Sequence, residues 1–419
     1  MSNFLGYRCS LCGAEYAPVE VQYTCPKDGG NLDVVPDYAA INRAASPGAI
    51  AQSREQSMWR YLPLLPVRDP GFTGTPLRAA GWTPLYRADR LAADLGLRSL
   101  FVKDDGRNPT ASFKDRASAV VVARALEIGV ERVVTASTGN AGAALAGLAA
   151  AAHLPATILA PETAPPAKVA QLLMFGAEVF LVVGNYDQAF DLTLEASREF
   201  GWYCRSTGYN PFTVEGKKTA AFEIAEQFSN NQSPITHWRV PDYVFVSVGD
   251  GNIITGLWKG FRDLHALGWI ERMPKLMGVQ AEGSAACANA WRANTETITP
   301  VAADTLADSI SVDLPRDGVR AVRAVRETGG AYVVVSDDDI LAAMRDLARG
   351  AAVFAEPAGA TAYAGSVKAV REGTIDREAT VLVLNTGNGL KDVKSAMRAA
   401  GEAIRIEPNL EALKRAVKE

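Results

Sequence analysis

Lys114 stands in the run Asn108-Pro109-Thr110-Ala111-Ser112-Phe113-Lys114-Asp115-Arg116, where an extended, proline-containing turn gives way to a helix. A lysine there is aimed into the cleft on which the preceding strand ends, and a desolvated amine can form a Schiff base with a carbonyl. Ser112 is expected to cap the helix. A lone lysine is more often a surface residue than a catalyst, so its meaning rests on the other loops.

Three of them carry complementary chemistry. Ser137-Thr138-Gly139-Asn140-Ala141-Gly142 places hydroxyls and an amide at the start of a small-residue helix, a cradle for an anion or a carboxylate. Gly249-Asp250-Gly251-Asn252-Ile253 opens another helix with converging backbone N–H groups, a natural seat for a phosphate. There Asp250 must turn its carboxylate away. Asn385-Thr386-Gly387-Asn388-Gly389 sets a hydroxyl at a strand tip, with glycines that admit a flat ring. Each loop alone reads equally well as a turn or a cap. Together they suit a phosphate-bearing aldehyde held on a lysine, and pyridoxal phosphate is the candidate.

Alternating strands and helices must position these loops. Leu100–Val102, Arg132–Thr135, Ala156–Leu159, Val179–Val182, Tyr243–Ser247, Leu276–Val279, Tyr332–Val335 and Thr380–Leu384 read as strands separated by amphipathic helices. That pattern means an α/β fold with doubly wound parallel sheets and ligands beyond the strands' carboxyl ends. The first 35 residues differ. Cys9 and Cys12, then Cys25 and Asp28, form two knuckles of a zinc-ribbon-like module that either binds structural zinc or folds without it. Residues 36–75, with Pro47, Pro63, Pro66 and Pro70, read as a linker with a short helix near 54–61.

The 419 residues carry 43 basic and 47 acidic side chains, a net charge of −4 that argues against nucleic acid as the main partner. No apolar run has membrane-spanning length, no signal-peptide pattern opens the chain, and five cysteines do not make a disulfide framework. A cytoplasmic protein is expected. His153, His237 and His265 lie outside the chemical loops, and Cys204 and Cys287 read as buried apolar residues.

Over nearly its whole length the chain resembles the fold-type-II family of pyridoxal-phosphate enzymes, and within it the threonine synthases. The likeness is carried by the ribbon, Gly81-Trp82-Thr83-Pro84-Leu85, Asn108–Arg116, the Ser137 loop, Ala355-Glu356-Pro357-Ala358-Gly359-Ala360 and the Thr386 loop. The resemblance implies a large cofactor domain (76–118 and 215–405), a small mobile domain (119–214), a C-terminal helix (406–419) and a homodimer. It makes Lys114 the Schiff-base lysine, sets Asn140 against the cofactor's phenolic oxygen, gives the phosphate to residues 249–253, and places Thr386 at the pyridine nitrogen. Ser137 and Thr138 would meet the substrate carboxylate, with Asn185 and Asn210 near its distal group. The implied reaction turns O-phospho-L-homoserine and water into L-threonine and phosphate.

Three positions depart from that pattern. Thr213 stands where an arginine is expected, Lys217 where glutamine is common, and Asn388 where many members have histidine. Without the guanidinium, Lys217 or Lys218 is the expected charge for a substrate phosphate. Thr213 keeps open a dehydratase or β-replacement enzyme of the same fold, and Cys9, Cys12 and Cys25 keep open a non-catalytic ribbon-bearing binding protein.

Overall fold

In the computed structural model, which describes residues 4–229 and 235–418, thirteen strands form three sheets. The N-terminal sheet has the order β2-β1-β3, antiparallel, from β1 (Phe4–Cys9), β2 (Glu15–Tyr16) and β3 (Leu32–Pro36). The largest is built from β4 (Leu85–Arg87), β5 (Ser99–Asp104), β10 (Tyr243–Ser247), β11 (Lys275–Ala281), β12 (Tyr332–Val335) and β13 (Thr380–Asn385). Its order is β12-β11-β10-β13-β5-β4, parallel except for β4 at the edge. The third holds β6 (Val133–Ala136), β7 (Ala156–Pro161), β8 (Glu178–Val182) and β9 (Tyr203–Cys204), in the parallel order β8-β7-β6-β9.

Helices cover both faces of the parallel sheets, which is why strands such as Val133-Val134-Thr135-Ala136 are buried at every position. The fold class expected from the strand–helix alternation is the one observed. One apolar cluster joins Phe4, Tyr7 and Leu32 of the N-terminal sheet to Val120 and Val133. Phe4 meets Phe212 edge-on, with ring centroids 6.2 Å apart. The ribbon is therefore packed into the body.

The stretch 36–75 is not a free linker. Ser46 caps a short helix with Pro47 in its first turn, and Met58, Trp59 and Tyr61 of the following 3-10 helix are buried. Tyr61 and Arg60 both reach Glu226, at 2.6 and 2.5 Å. Its prolines punctuate short helices, and buried aromatic side chains hold those helices to the core. The expected C-terminal helix spans Leu410–Lys418, largely exposed. Among the described residues no helix is long and apolar enough to cross a membrane.

Candidate active site

β5 ends at Asp104, and the chain then turns through Ala111, a non-glycine residue with φ of 65°. A left-handed alanine costs on the order of 1–3 kcal/mol and persists only where its neighbours hold it. Here the loop after β13 does so. The Ala111 carbonyl accepts from the Asn388 amide at 3.1 Å, Ser112 bridges Gly387, and the Phe113 amide donates to the Thr386 carbonyl at 2.9 Å. This pairing overrides the expected cap: the Ser112 hydroxyl is buried without a partner, and the helix Lys114–Ile128 begins behind Phe113 with no side-chain cap. Asp115 turns back instead, accepting from the Thr110 amide at 2.6 Å and from the Thr110 hydroxyl.

Beneath Lys114 lies a buried ionic network. Arg116 donates to Asp105 at 2.6 Å and to Glu223 at 2.5 Å, and Lys103 donates to Glu223 at 2.8 Å. Glu223 also accepts the Trp82 amide at 2.7 Å. All four charged side chains are fully buried. The two cations hold the Glu223 carboxyl at about 2, against its own desolvation.

Lys114 opens onto a cavity of about 560 Å³ between the carboxyl ends of the large and small sheets. A narrow branch of about 50 Å³ adjoins it, sharing Lys114 in its lining and bordered by Thr386 and Gly249–Ile253. Desolvation pushes the Lys114 ammonium below the usual lysine range; Glu356 opposes this, Arg205 adds to it, and Asp250 opposes it. Ser137, Thr138 and Asn140 line the cavity, with Asn140 in the first turn of the helix Asn140–Ala151. Its amide donates at 2.7 Å to the buried carboxylate of Glu356, raised above the usual glutamate range by burial. Gly387 makes room for that carboxylate, since a Cβ there would lie 2.2 Å from Glu356 Oε1.

The 249–253 loop forms its nest with Gly251 at φ 86°, where a Cβ would also strike Ala321 and Asp317. The Asn252 side chain is turned inward. It donates to Asp317 at 2.6 Å and accepts from Lys217 Nζ at 2.5 Å. Desolvation drives Lys217 well below the lysine range, with Arg205 and Lys114 adding to the depression. Asp250 takes the Arg316 amide at 3.3 Å, and burial raises its carboxyl.

Some expected contacts are not made. Lys218 faces away from the cavity and is neutralised by Glu215 at 2.6 Å and Asp263 at 3.0 Å. Asn210 is locked inside its own loop, donating to the Cys204 carbonyl at 2.8 Å and accepting the Phe212 amide at 2.9 Å. Lys217 lies in the narrow branch rather than the wide cavity. Asn185 does line the wide cavity, where it caps the helix Tyr186–Phe200. Thr213 is buried against the Asn210 carbonyl. Glu356 was quoted in a motif without a role, and two residues were missed, Asp317 and Arg205. Arg205 follows a strand of two residues, too short to leave a periodic signal.

In the ribbon, the ligand atoms of Cys9, Cys12, Cys25 and Asp28 all lie within 4.8 Å of one another. The Cys12 and Cys25 sulfurs are 3.8 Å apart, which is about the edge of a tetrahedron with ~2.3 Å zinc–sulfur bonds.

A family model described as pyridoxal-phosphate dependent enzyme matches residues 77–387. Threonine synthase of Methanocaldococcus jannaschii is 40% identical over 414 residues, covering 98% of this chain and 99% of that protein. Threonine synthase of Mycobacterium tuberculosis is 36% identical over 354 residues, covering 84% and 91%. The chain belongs to the threonine synthase family of pyridoxal-phosphate dependent enzymes. Threonine deaminase isoform 2 of Solanum lycopersicum shares the fold, with a TM-score of 0.65 at 24% identity over 78% of this chain and 90% of that one. Maize serine racemase does so with a TM-score of 0.60 at 21% identity, covering 80% and 91%.

The site fits the cofactor of this family on its own physics. A buried lysine amine (Lys217) with an amide oxygen as its hydrogen-bond partner, beside a run of helix-start N–H groups, suits an anion. A desolvated lysine stands at the other end of the same narrow branch.

Proposed function

We propose that this threonine synthase family member converts O-phospho-L-homoserine and water into L-threonine and phosphate. The observation that carries the reading is a pair of adjoining cavities that share the desolvated Lys114, one lined by Gly249–Ile253 and Lys217 and the other by Arg205; no carboxylate among the described residues forms an ion pair with Lys217 or Arg205. When bound, pyridoxal phosphate supplies an electron sink for the charge that develops at the substrate's Cα.

Lys114 would hold the cofactor through its aldehyde; once the substrate amine takes its place there, the freed lysine amine is the base that moves protons at Cα and Cβ of the substrate. Its lowered basicity keeps more of the amine neutral near pH 7, as a base requires. Residues 249–253 and Lys217 hold the cofactor phosphate. Asn140, whose amide is steadied by Glu356, would face the phenolic oxygen, and Thr386, which lines the narrow branch, would serve the pyridine nitrogen. Ser137 and Thr138, at a helix start, receive the substrate carboxylate. Phosphate leaves from Cγ, the protons taken from Cα and Cβ are returned at Cγ and Cα, water adds at Cβ, and the cleft must exclude other water in between. Closure of residues 119–214 over the site supplies that exclusion. Cys9, Cys12, Cys25 and Asp28 hold a structural zinc ion, and a cytoplasmic homodimer completes the reading.

The test incubates the cofactor-loaded protein with O-phosphohomoserine, serine or threonine. Threonine and phosphate in equal amounts from the first substrate are expected. Ammonia from serine or threonine, with no threonine from O-phosphohomoserine, would assign a dehydratase instead.

A further inference from the structure

Arg205 is fully buried, yet its guanidinium is incompletely satisfied. Nη1 donates to the Thr207 hydroxyl at 2.9 Å and Nε to the Ser118 hydroxyl at 3.2 Å, while Nη2 has no partner. No carboxylate among the described residues forms an ion pair with it. Desolvation pushes it down to about 10, with Tyr186 the largest opposing influence. An unpaired buried cation is costly, and truncating one partner of a buried pair costs several kcal/mol for this reason. A guanidinium held this way is preorganised for an anion that arrives from solution.

The wide cavity is where that anion must lie. Arg205 lines it together with Ser137, Thr138 and Asn185, whereas the narrow branch containing the nest is lined by Lys217 and not by Arg205; Lys114 and Thr207 border both. The two unneutralised cations are thus assigned to different compartments. The reaction proposed above brings two phosphates, one on the cofactor and one on the substrate. A carboxylate monoanion is served by the hydroxyls and the helix start at Ser137–Asn140, while a phosphate ester near the dianionic state calls for a full positive charge and a planar fork. The buried Thr213 side chain is too short to offer either.

We infer that Arg205 receives the distal phosphate of the substrate, in a subsite it forms with Thr207 at the wall of the wide cavity. This rests on the O-phosphohomoserine reading and specifies its phosphate recognition. It also moves the guanidinium that sets substrate choice from the helix Phe212–Lys217 to the end of β9.

The experiment uses cofactor-loaded wild type, Arg205→Met and Arg205→Lys. It titrates the cofactor's visible spectrum with O-phosphohomoserine and with L-homoserine, which lacks the phosphate, and measures inhibition by inorganic phosphate. The expected result for Arg205→Met is retained cofactor binding and unchanged L-homoserine affinity. Affinities for O-phosphohomoserine and inorganic phosphate fall roughly 10- to 100-fold. Arg205→Lys, which keeps charge without the fork, falls between, and it carries the test if the methionine variant does not fold. Equal affinity of wild type and variants for both phosphate compounds overturns the inference. So does an equal loss for L-homoserine, which would make Arg205 the carboxylate group, or loss of the cofactor itself. Failure of wild type to form threonine while phosphate binding still depends on Arg205 would sink the reaction and leave the anion subsite standing.

Discussion

The Tyr23 hydroxyl, in the cysteine-rich module, accepts a hydrogen bond from the Cys204 amide at 2.9 Å, one residue before Arg205. Its ring stacks on Tyr209 with centroids 4.4 Å apart. A second link runs from Asn31, which donates to Asp317 at 3.0 Å; Asp317 in turn accepts from Asn252 of the nest. The ribbon therefore braces both the wide cavity and the narrow branch.

Zinc in the ribbon is expected to stabilise the protein without touching the chemistry at Lys114. Metal analysis should find about one zinc per chain. Cys12→Ser should lower the melting temperature while the cofactor spectrum is retained. Metal-free protein with an unchanged melting temperature would show a ribbon that folds by packing alone.

Lys114→Ala should abolish the visible band of lysine-bound cofactor and lower turnover by at least about 100- to 10,000-fold. Absorbance spectra of the variant after incubation with pyridoxal phosphate check this. Persistence of the wild-type band would remove Lys114 from the cofactor.

Lys217→Met separates two effects of one buried cation. Without cofactor the variant should melt higher than wild type, because an ammonium with an amide oxygen as its partner no longer has to be desolvated. With cofactor the order should reverse, since the phosphate loses its cation. Melting curves at several pyridoxal phosphate concentrations read both arms. An equal cofactor-induced shift in the two proteins would refute the assignment.

Glu223 gives the pH dependence its sign. Its folded carboxyl sits at about 2, below the ordinary 4.5. Its contribution to stability is therefore fully present above pH 4.5 and is lost as pH falls from there through about 2. Denaturant midpoints between pH 7 and pH 3 should show this acid loss. Glu223→Gln should flatten it and cost about 3–5 kcal/mol at neutral pH, because Arg116 and Lys103 stay buried with less compensation.

Much was legible in the chain. Strands buried on both faces must be written as β-branched apolar runs, and loops that take a phosphate or a flat ring must be written with glycines and hydroxyls. Asn140, residues 249–253 and Thr386 were singled out on that basis and Lys114 from its place where a turn gives way to a helix, and these residues line two adjoining cavities. Those requirements are local, so the order of residues determines them.

Direction and partnership are different. Lys217 and Lys218 are neighbours in sequence, but successive helical residues point about 100° apart. One amine reaches Asn252 in the narrow branch and the other is consumed by Glu215 and Asp263. Ser112 looked like a cap and became a bridge to Gly387, some 270 residues away in the chain. Arg205 and Glu356 gain their meaning from which groups fail to neutralise them and which groups they hold. The sequence alone determined which loops do the chemistry. Only the packing of the sheets decided which cations remain unpaired, because desolvation and charge compensation depend on everything that surrounds a group in space.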